Sequence, residues 1–211
     1  APHGQTASFT LYAQWTANTL NITYDSRSGS AASGGDATTT TGATISTLAT
    51  TSRTGYTFNG WFTATSGGSQ ITTSAPHGQT ASFTLYAQWT ANTLNITYDS
   101  RSGSAASGGD ATTTTGATIS TLATTSRTGY TFNGWFTATS GGSQITTSAP
   151  HGQTASFTLY AQWTANTLNI TYDSRSGSAA SGGDATTTTG ATISTLATTS
   201  RTGYTFNGWF T

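Results

Sequence analysis

The chain has 211 residues, 33% of them hydrophobic and 6% charged; its six cations are all arginine and its six anions all aspartate. Lysine, glutamate, cysteine and methionine do not occur, which removes disulfide frameworks, thiolate metal sites, cysteine nucleophiles, a phosphate-binding P-loop lysine, Schiff-base chemistry and the HExxH zinc helix. A formal net charge of zero leaves no basic field for nucleic acid, and no apolar run approaches the roughly 20 residues that span a bilayer.

The segment APHGQTASFTLYAQWT begins at Ala1, Ala75 and Ala149, so the chain is two full periods of 74 residues and 63 residues of a third, identical at every shared position. Solenoid repeats of about 20 to 50 residues stack units that cannot fold alone. A longer unit can enclose its own small core, so the period reads as beads on a string. The chain opens on Ala1 rather than Met and reads as a window on a longer array, whose targeting segments would lie elsewhere.

Within one period, Leu20, Ile22 and Tyr24 alternate with Asn21 and Thr23, the pattern of a half-buried strand. The stretch from Asp25 to Thr44 is rich in Ser, Gly and Thr and would be a linker on composition alone, but the strand patterning argues against placing the bead boundary there. Ile45 and Leu48 fit one helical turn or a short strand equally well. In GYTFNGWF, Tyr56 and Phe58 alternate as in a strand; Asn59-Gly60 then breaks the period and Trp61-Phe62 puts rings on both faces. That combination predicts a bulge or tight bend at Gly60. Phe83, Leu85, Ala87 and Trp89 alternate with Thr84, Tyr86 and Gln88, giving a further strand. Thr90 to Thr93 then span at most about 14 Å before the pattern restarts at Leu94. Either consecutive beads abut there, or the two strands share one bead. The large apolar side chains include eight aromatics per period, each able to bury about 150 to 250 Å², enough to close a small β-rich core without cysteine or metal.

The run RTGYTFNGWFTATSGGSQI, followed by TLYAQW and preceded by NITYDS, resembles the Listeria-Bacteroides repeat, the internalin B-type B repeat. The matching signature is a GY-x-F-x-GW segment, a Gly-Gly turn and a closing LYA-x-W strand. The resemblance implies a mainly β fold of α+β type: small β-grasp-like domains in an elongated tandem array on bacterial surface proteins, mostly serving as stalk or spacer. It also implies the phase of the repeat. Residues 1–16 would end a preceding repeat, 17–90 and 91–164 would be complete repeats, and 165–211 would begin a following one. The signature residues are Tyr56, Phe58, Gly60, Trp61, Leu85 and Trp89, and in the next copy Tyr130, Phe132, Trp135, Leu159 and Trp163. The chain departs from the family in its low charge, in the 38 Thr, Ser and Gly residues of each 74, and in having no Pro between Ala49 and Ser52.

Each period offers little catalytic material. His77 in SAPHGQT reads as a solvent-exposed turn histidine, and Asp25 and Asp36 are the available carboxylates. No GxSxG elbow joins Ser74, His77 and Asp25 into a triad, and one His with two Asp falls short of a zinc shell. The DSRSGS loop resembles the start of a calcium loop, but Arg27 stands where an oxygen ligand is wanted. The expectation is therefore a non-enzymatic protein without cofactor or metal. Tyr86 and Tyr160 alternate away from the core positions and are the candidate ligand contacts, for a sugar face or a protein. Thr38 to Thr41 is too short a run per period for a flat ice-binding array. Asn21-Ile22-Thr23 matches an N-glycosylation sequon inside a predicted strand. With no Lys or Cys, the one internal crosslink chemically available is a Thr-Gln ester, involving Gln70, Gln79 or Gln88.

The expected role is mechanical: extracellular stalk repeats of a bacterial cell-surface adhesin, touching their neighbours in the same chain and projecting a distal domain. Two alternatives remain: multivalent weak binding of a glycan or protein, and lateral self-association favoured by the zero net charge. No nucleic-acid partner and no membrane insertion are expected of this segment.

Overall fold

A computed structural model describes Gly4 and residues 6–211; residues 1–3 and 5 of the leading segment lie outside the described residues. The chain divides into two compact units, residues 1–92 and 93–211. The first contains β1 (Thr19–Asp25), β2 (Thr38–Thr40), β3 (Tyr56–Phe62), β4 (Gln70–Ile71) and β5 (Phe83–Ala91). They form one five-stranded sheet in the order β2-β1-β5-β3-β4. The last strand in sequence thus lies at the centre, parallel to β1 (Ile22 opposite Phe83, Asp25 opposite Tyr86) and antiparallel to β3.

The alternation in sequence becomes a two-faced sheet. Leu20, Ile22, Leu85 and Ala87 point to one side and are buried, while Asn21 and Thr23 on β1 are exposed. Segment 26–55 covers the buried side, contributing Ile45 (1% exposed) and Ala49 (5%), with Ala32 and Leu48 packed against the cluster. This is the stretch whose composition suggested a linker, and backbone hydrogen bonds hold it. The Ser30 amide donates to the Ser52 carbonyl at 2.7 Å, Ser33 and Thr50 form a bridge, and the Asp36 amide donates to Thr47 O at 2.9 Å. Ile45 and Leu48 lie in neither helix nor strand. Among the described residues there is no α-helix, so the helical part of the expected α+β class is corrected, and no helix is long and apolar enough to cross a membrane. Short stretches of Ser, Gly and Thr favour local side-chain-to-backbone bonds over helix.

The bulge falls where Asn59-Gly60 breaks the period: the pairing of β3 with β5 slips between Phe58 and Gly60, leaving Asn59 unpaired in the ladder. Gly60 has φ +121°, and a Cβ there would run into the Gln70 side-chain amide. That amide donates to the Asn59 carbonyl at 3.0 Å, bridging the bulge. The slip lets Phe58 and Trp61 both face the core although their odd spacing in sequence would set them on opposite faces of a regular strand.

The second unit repeats this sheet with β6 (Thr93–Asp99), β7 (Thr112–Thr114), β8 (Tyr130–Phe136), β9 (Gln144–Ile145) and β10 (Phe157–Ala165), in the order β7-β6-β10-β8-β9. It continues into β11 (Thr167–Asn169) and β12 (Thr186–Thr188), a two-stranded antiparallel sheet. In this last stretch, residues 170–173 and 204–210, the counterparts of the second half of β1 and of β3, are assigned to no strand.

Gly60→Ala should lower the stability of the first unit by about 1 to 3 kcal/mol, because a non-glycine residue at such a φ is strained. Gly78→Ala, where an added Cβ meets nothing within 4 Å, should be neutral or slightly stabilising. Urea midpoints of the two variants check the contrast; equal effects would refute it.

Candidate functional site

The aromatic signature residues form a connected cluster on the covered face. Trp61 is 1% exposed and meets Tyr24 edge-on at 4.9 Å and Phe58 at 5.5 Å, and Phe58 in turn meets Trp89 at 5.1 Å. Each indole N–H donates to the covering segment: Trp61 to Ala49 O at 2.7 Å and Trp89 to Ser26 O at 3.0 Å. Leu85 is fully buried beneath them. The second repeat reproduces the arrangement. Trp135 donates to Ala123 O at 2.7 Å and Trp163 to Ser100 O at 3.0 Å, Leu159 is fully buried, and Phe132 joins the two indoles while remaining 36% exposed. Tyr56 and Tyr130 stand apart from the stack. Their rings carry the guanidinium groups of Arg53 and Arg127 at 3.6 and 3.7 Å, a cation–π contact available to arginines without a carboxylate partner.

Tyr24 brings a hydroxyl into this cluster. Its oxygen is buried with no hydrogen-bond partner. Burial raises its pKa, the charge of Asp36 adds to the rise, and the Ala49 backbone partly opposes it.

Tyr86 and Tyr160 are half-buried. Tyr86 lies on the other side of the sheet, where Asn21, Thr23, Thr63 and Thr84 join it around a shallow groove of about 320 Å³. The groove is polar, and its Asn and Thr side chains carry no charge.

His77 is not an exposed turn residue: it is 3% exposed, as is His151 in the next repeat. Its amide donates to Ala43 O at 3.0 Å, and its ring packs on Phe83 at 5.3 Å. Nδ1 lies 3.2 Å from the Gln79 backbone N–H and must accept from it. Nε2 therefore carries the proton and donates to Thr39 Oγ1 at 3.1 Å. The histidine clasps the β4–β5 crossover to β2. Nothing in SAPHGQT marks it as buried, and the Thr39 that it meets lies in a run of four threonines with no alternation to single it out.

The carboxylates cap backbone donors instead of meeting His77. Asp25 Oδ1 accepts from the Arg27 amide at 2.9 Å, where Arg27 takes φ +48°, and Asp36 Oδ2 accepts from the Thr47 amide at 2.9 Å. The DSRSGS segment is accordingly a tight turn closed on itself. The glutamine amides are also engaged with backbone, Gln70 on Asn59 and Gln88 on Ala64 and Gly67 at 3.1 and 2.7 Å.

In the second unit, successive repeats meet at Asn166. Its amide donates to Gly129 O at 2.9 Å and its Oδ1 accepts from Thr131 at 2.8 Å, both in the preceding repeat. Its carbonyl accepts from the Thr189 amide of the following repeat at 2.9 Å. Thr189 also seats on Gly129: with φ +80°, a Cβ there would lie 2.6 Å from Thr189 Cγ2.

The Listeria-Bacteroides repeat domain matches at residues 21–88, 95–162 and 169–211. The chain belongs to the Listeria-Bacteroides repeat family. It is 29% identical over 220 aligned residues to a protein of Evansella cellulosilytica named as a candidate membrane protein, covering 98% of this chain and 31% of that one. It is 33% identical over 115 residues to Internalin H of Listeria monocytogenes, covering 53% of this chain and 20% of the internalin. A second Evansella cellulosilytica protein, named as a candidate Gly-rich membrane protein, is 31% identical over 175 residues, covering 75% and 19%. The chain thus spans less than a third of the length of these relatives. No solved structure matches it. The repeat therefore occurs in an internalin and in proteins named for the membrane.

Tyr24→Phe deletes an unpartnered hydroxyl and keeps the ring, so thermal stability should be unchanged or rise by up to about 1 kcal/mol; a loss of that size would reveal a partner for the hydroxyl. For His151, burial lowers the pKa, partly offset by the Thr114 carbonyl. The unfolded chain then takes up the proton first as pH falls through about 6.5, so stability is fully present above that value and drains toward the depressed folded pKa. Between pH 7 and 5.5 the urea midpoint should fall, and His151→Gln should make the slope shallower; an unchanged slope would contradict the assignment.

Proposed function

We propose that these repeats are structural stalk or spacer units of a bacterial cell-surface protein, extracellular and carrying a distal functional domain away from the envelope. The observation that carries this reading is the junction at Asn166. One residue ties both neighbours, and Thr189 of one repeat rests on Gly129 of the other, so no free linker separates them. A Gly/Ser tether would add reach only as the square root of its length, whereas bracketed repeats add it in proportion to their number. The occurrence of the repeat in Internalin H, and in relatives named for the membrane, supports the surface assignment. So does the charge-poor surface, free of lysine and of readily oxidised Cys and Met. The order β2-β1-β5-β3-β4, with parallel β1 and β5 at its centre, supports a β-grasp-like fold in which an irregular cover replaces the helix.

Small-angle scattering on chains of two to six repeats tests the reading. The maximum dimension should rise linearly with repeat number, and a square-root rise would sink it.

A further inference from the structure

We propose that Asn59-Gly60, with Asn133-Gly134 in the next repeat, is a latent deamidation site, locked by the folded bulge and released when β3 separates from β5. Each period carries three asparagines, at Asn18, Asn21 and Asn59. An asparagine is lost when the backbone nitrogen of the next residue attacks its side-chain carbonyl carbon. Thr19 and Ile22 shield that nitrogen with β-branched side chains, whereas Gly60 has no Cβ to hinder it. Asn59 and Asn133 are exposed and unpaired in the ladder, so burial does not protect them.

Two restraints hold the reaction off, one on each reacting group. Asn59 Nδ2 donates to Thr90 Oγ1 at 2.9 Å, and that hydroxyl donates back to Asn59 Oδ1 at 3.2 Å. One hydroxyl thus engages both ends of the carboxamide. Thr90 stands opposite Thr57, so it draws the carboxamide toward the start of β3 and away from the Gly60 nitrogen that follows. The peptide plane between the two residues is tied separately, since its carbonyl accepts from Gln70 Nε2 at 3.0 Å. Bringing the Gly60 nitrogen to the side-chain carbon requires that plane to turn and break the bond. The second repeat has the same pair of restraints: Asn133 exchanges bonds of 2.9 and 3.1 Å with Thr164 and accepts from Gln144 at 3.1 Å. Thr90 lies on β5 and Gln70 on β4, so the lock exists only while both strands flank β3.

Once β3 leaves its neighbours, the Gly60 nitrogen bonds to Asn59 Cγ, the Cγ–Nδ2 bond breaks, and Nδ2 departs as ammonia with the proton of the Gly60 amide. The succinimide left behind takes up one water at either carbonyl and opens to aspartate or to isoaspartate, with no oxidant or other reagent. Isoaspartate routes the backbone through the side-chain carbon and adds one atom to the strand between Phe58 and Trp61. These two rings meet at 5.5 Å in the core, and a lengthened strand sets them out of register. Each conversion also removes the Nδ2 donor and adds a negative charge to a chain whose net charge is zero. An opening that outlasts the chemistry is recorded for good in covalent structure.

Cleavage after arginine releases one shared peptide sequence, 54–101 and 128–175, from the two complete repeats, and mass spectrometry with enzymatic isoaspartate methylation reads its conversion. Held for days near pH 8, the full chain in buffer should convert at least about tenfold more slowly than in guanidinium chloride, because attack on a folded chain is limited to its opened fraction. Thr90 and Thr164 are exposed, so Thr90→Val/Thr164→Val removes the hydroxyls and keeps a β-branched residue on each strand. That variant should convert severalfold faster in buffer, and Thr90→Ser/Thr164→Ser, which keeps the hydroxyls, should stay slow. Equal rates in buffer and denaturant, or no conversion in denaturant, would overturn the latent site. A valine variant as slow as the unaltered chain, a serine variant as fast as the valine one, or an acceleration matched by a fall in urea midpoint would overturn the hydroxyl lock. Loss of ammonia in buffer without uptake of water would mark a Thr90–Asn59 ester and overturn the proposal too.

Discussion

The fold depends on the insertion of β5 between β1 and β3. This strand is hydrogen-bonded on both edges, parallel on one and antiparallel on the other, and it places Leu85 and Ala87 at the bottom of the core. Burying one such leucine is worth about 1.5 to 3 kcal/mol, and its ladder bonds turn two flanking segments into strands. The cover recurs in the stretch 165–211, where Trp209 donates to Ala197 O at 2.7 Å and the Ser178 amide to Ser200 O at 2.7 Å. In each complete repeat the cover hangs on the indole of the bulged strand and the sheet on its central strand.

The composition acquires a physical meaning in that setting. A chain half built of Thr, Ser and Gly loses much conformational entropy on ordering, and the cover offsets part of that loss with many small hydrogen bonds. Thr51 Oγ1 donates to Ser30 O at 2.7 Å, Thr50 Oγ1 to Ser33 O at 3.3 Å, and the Ser52 amide to Ser30 Oγ at 3.0 Å. Ion pairs contribute little. Arg175 and Asp173 approach at 3.5 Å with side chains 89% and 78% exposed, a geometry of marginal value in water. Arginines lie instead across tyrosine rings.

The parts of this architecture that obey a simple period are legible in the sequence. Strands around Leu20 to Tyr24 and Phe83 to Trp89 announce themselves by alternation, and the Asn59-Gly60 interruption marks the bulge because it puts Phe58 and Trp61 out of phase by one residue. The cover is not legible in the same way: its hydrogen bonds link residues about 20 apart in an irregular path, and no periodicity encodes that. The two short strands β2 and β4 carry too few residues to show a pattern. His77 looks exposed in sequence because its burial comes from Thr39 and Phe83, 38 residues before it and 6 after, with no apolar signal in its own turn. The parallel pairing of β1 with β5 depends on crossover path alone. Alternation shows that the phenolic ring of Tyr86 faces outward, but the groove around it is assembled from β1, β5 and Thr63.

That parallel pairing has a mechanical meaning. Tension along the backbone enters the first sheet at Thr19 and leaves at Ala91, the first residue of β1 and the last of β5. Because these neighbours run in the same direction, the two points of attachment lie at opposite ends of the pair. A pull therefore slides one strand along the other and strains the ladder from Ile22–Phe83 to Asp25–Tyr86 all at once, instead of peeling its bonds away singly. The same geometry recurs in β6 and β10, so a pull applied along either repeat would load that pair in shear, at the strand that the rest of the core already requires.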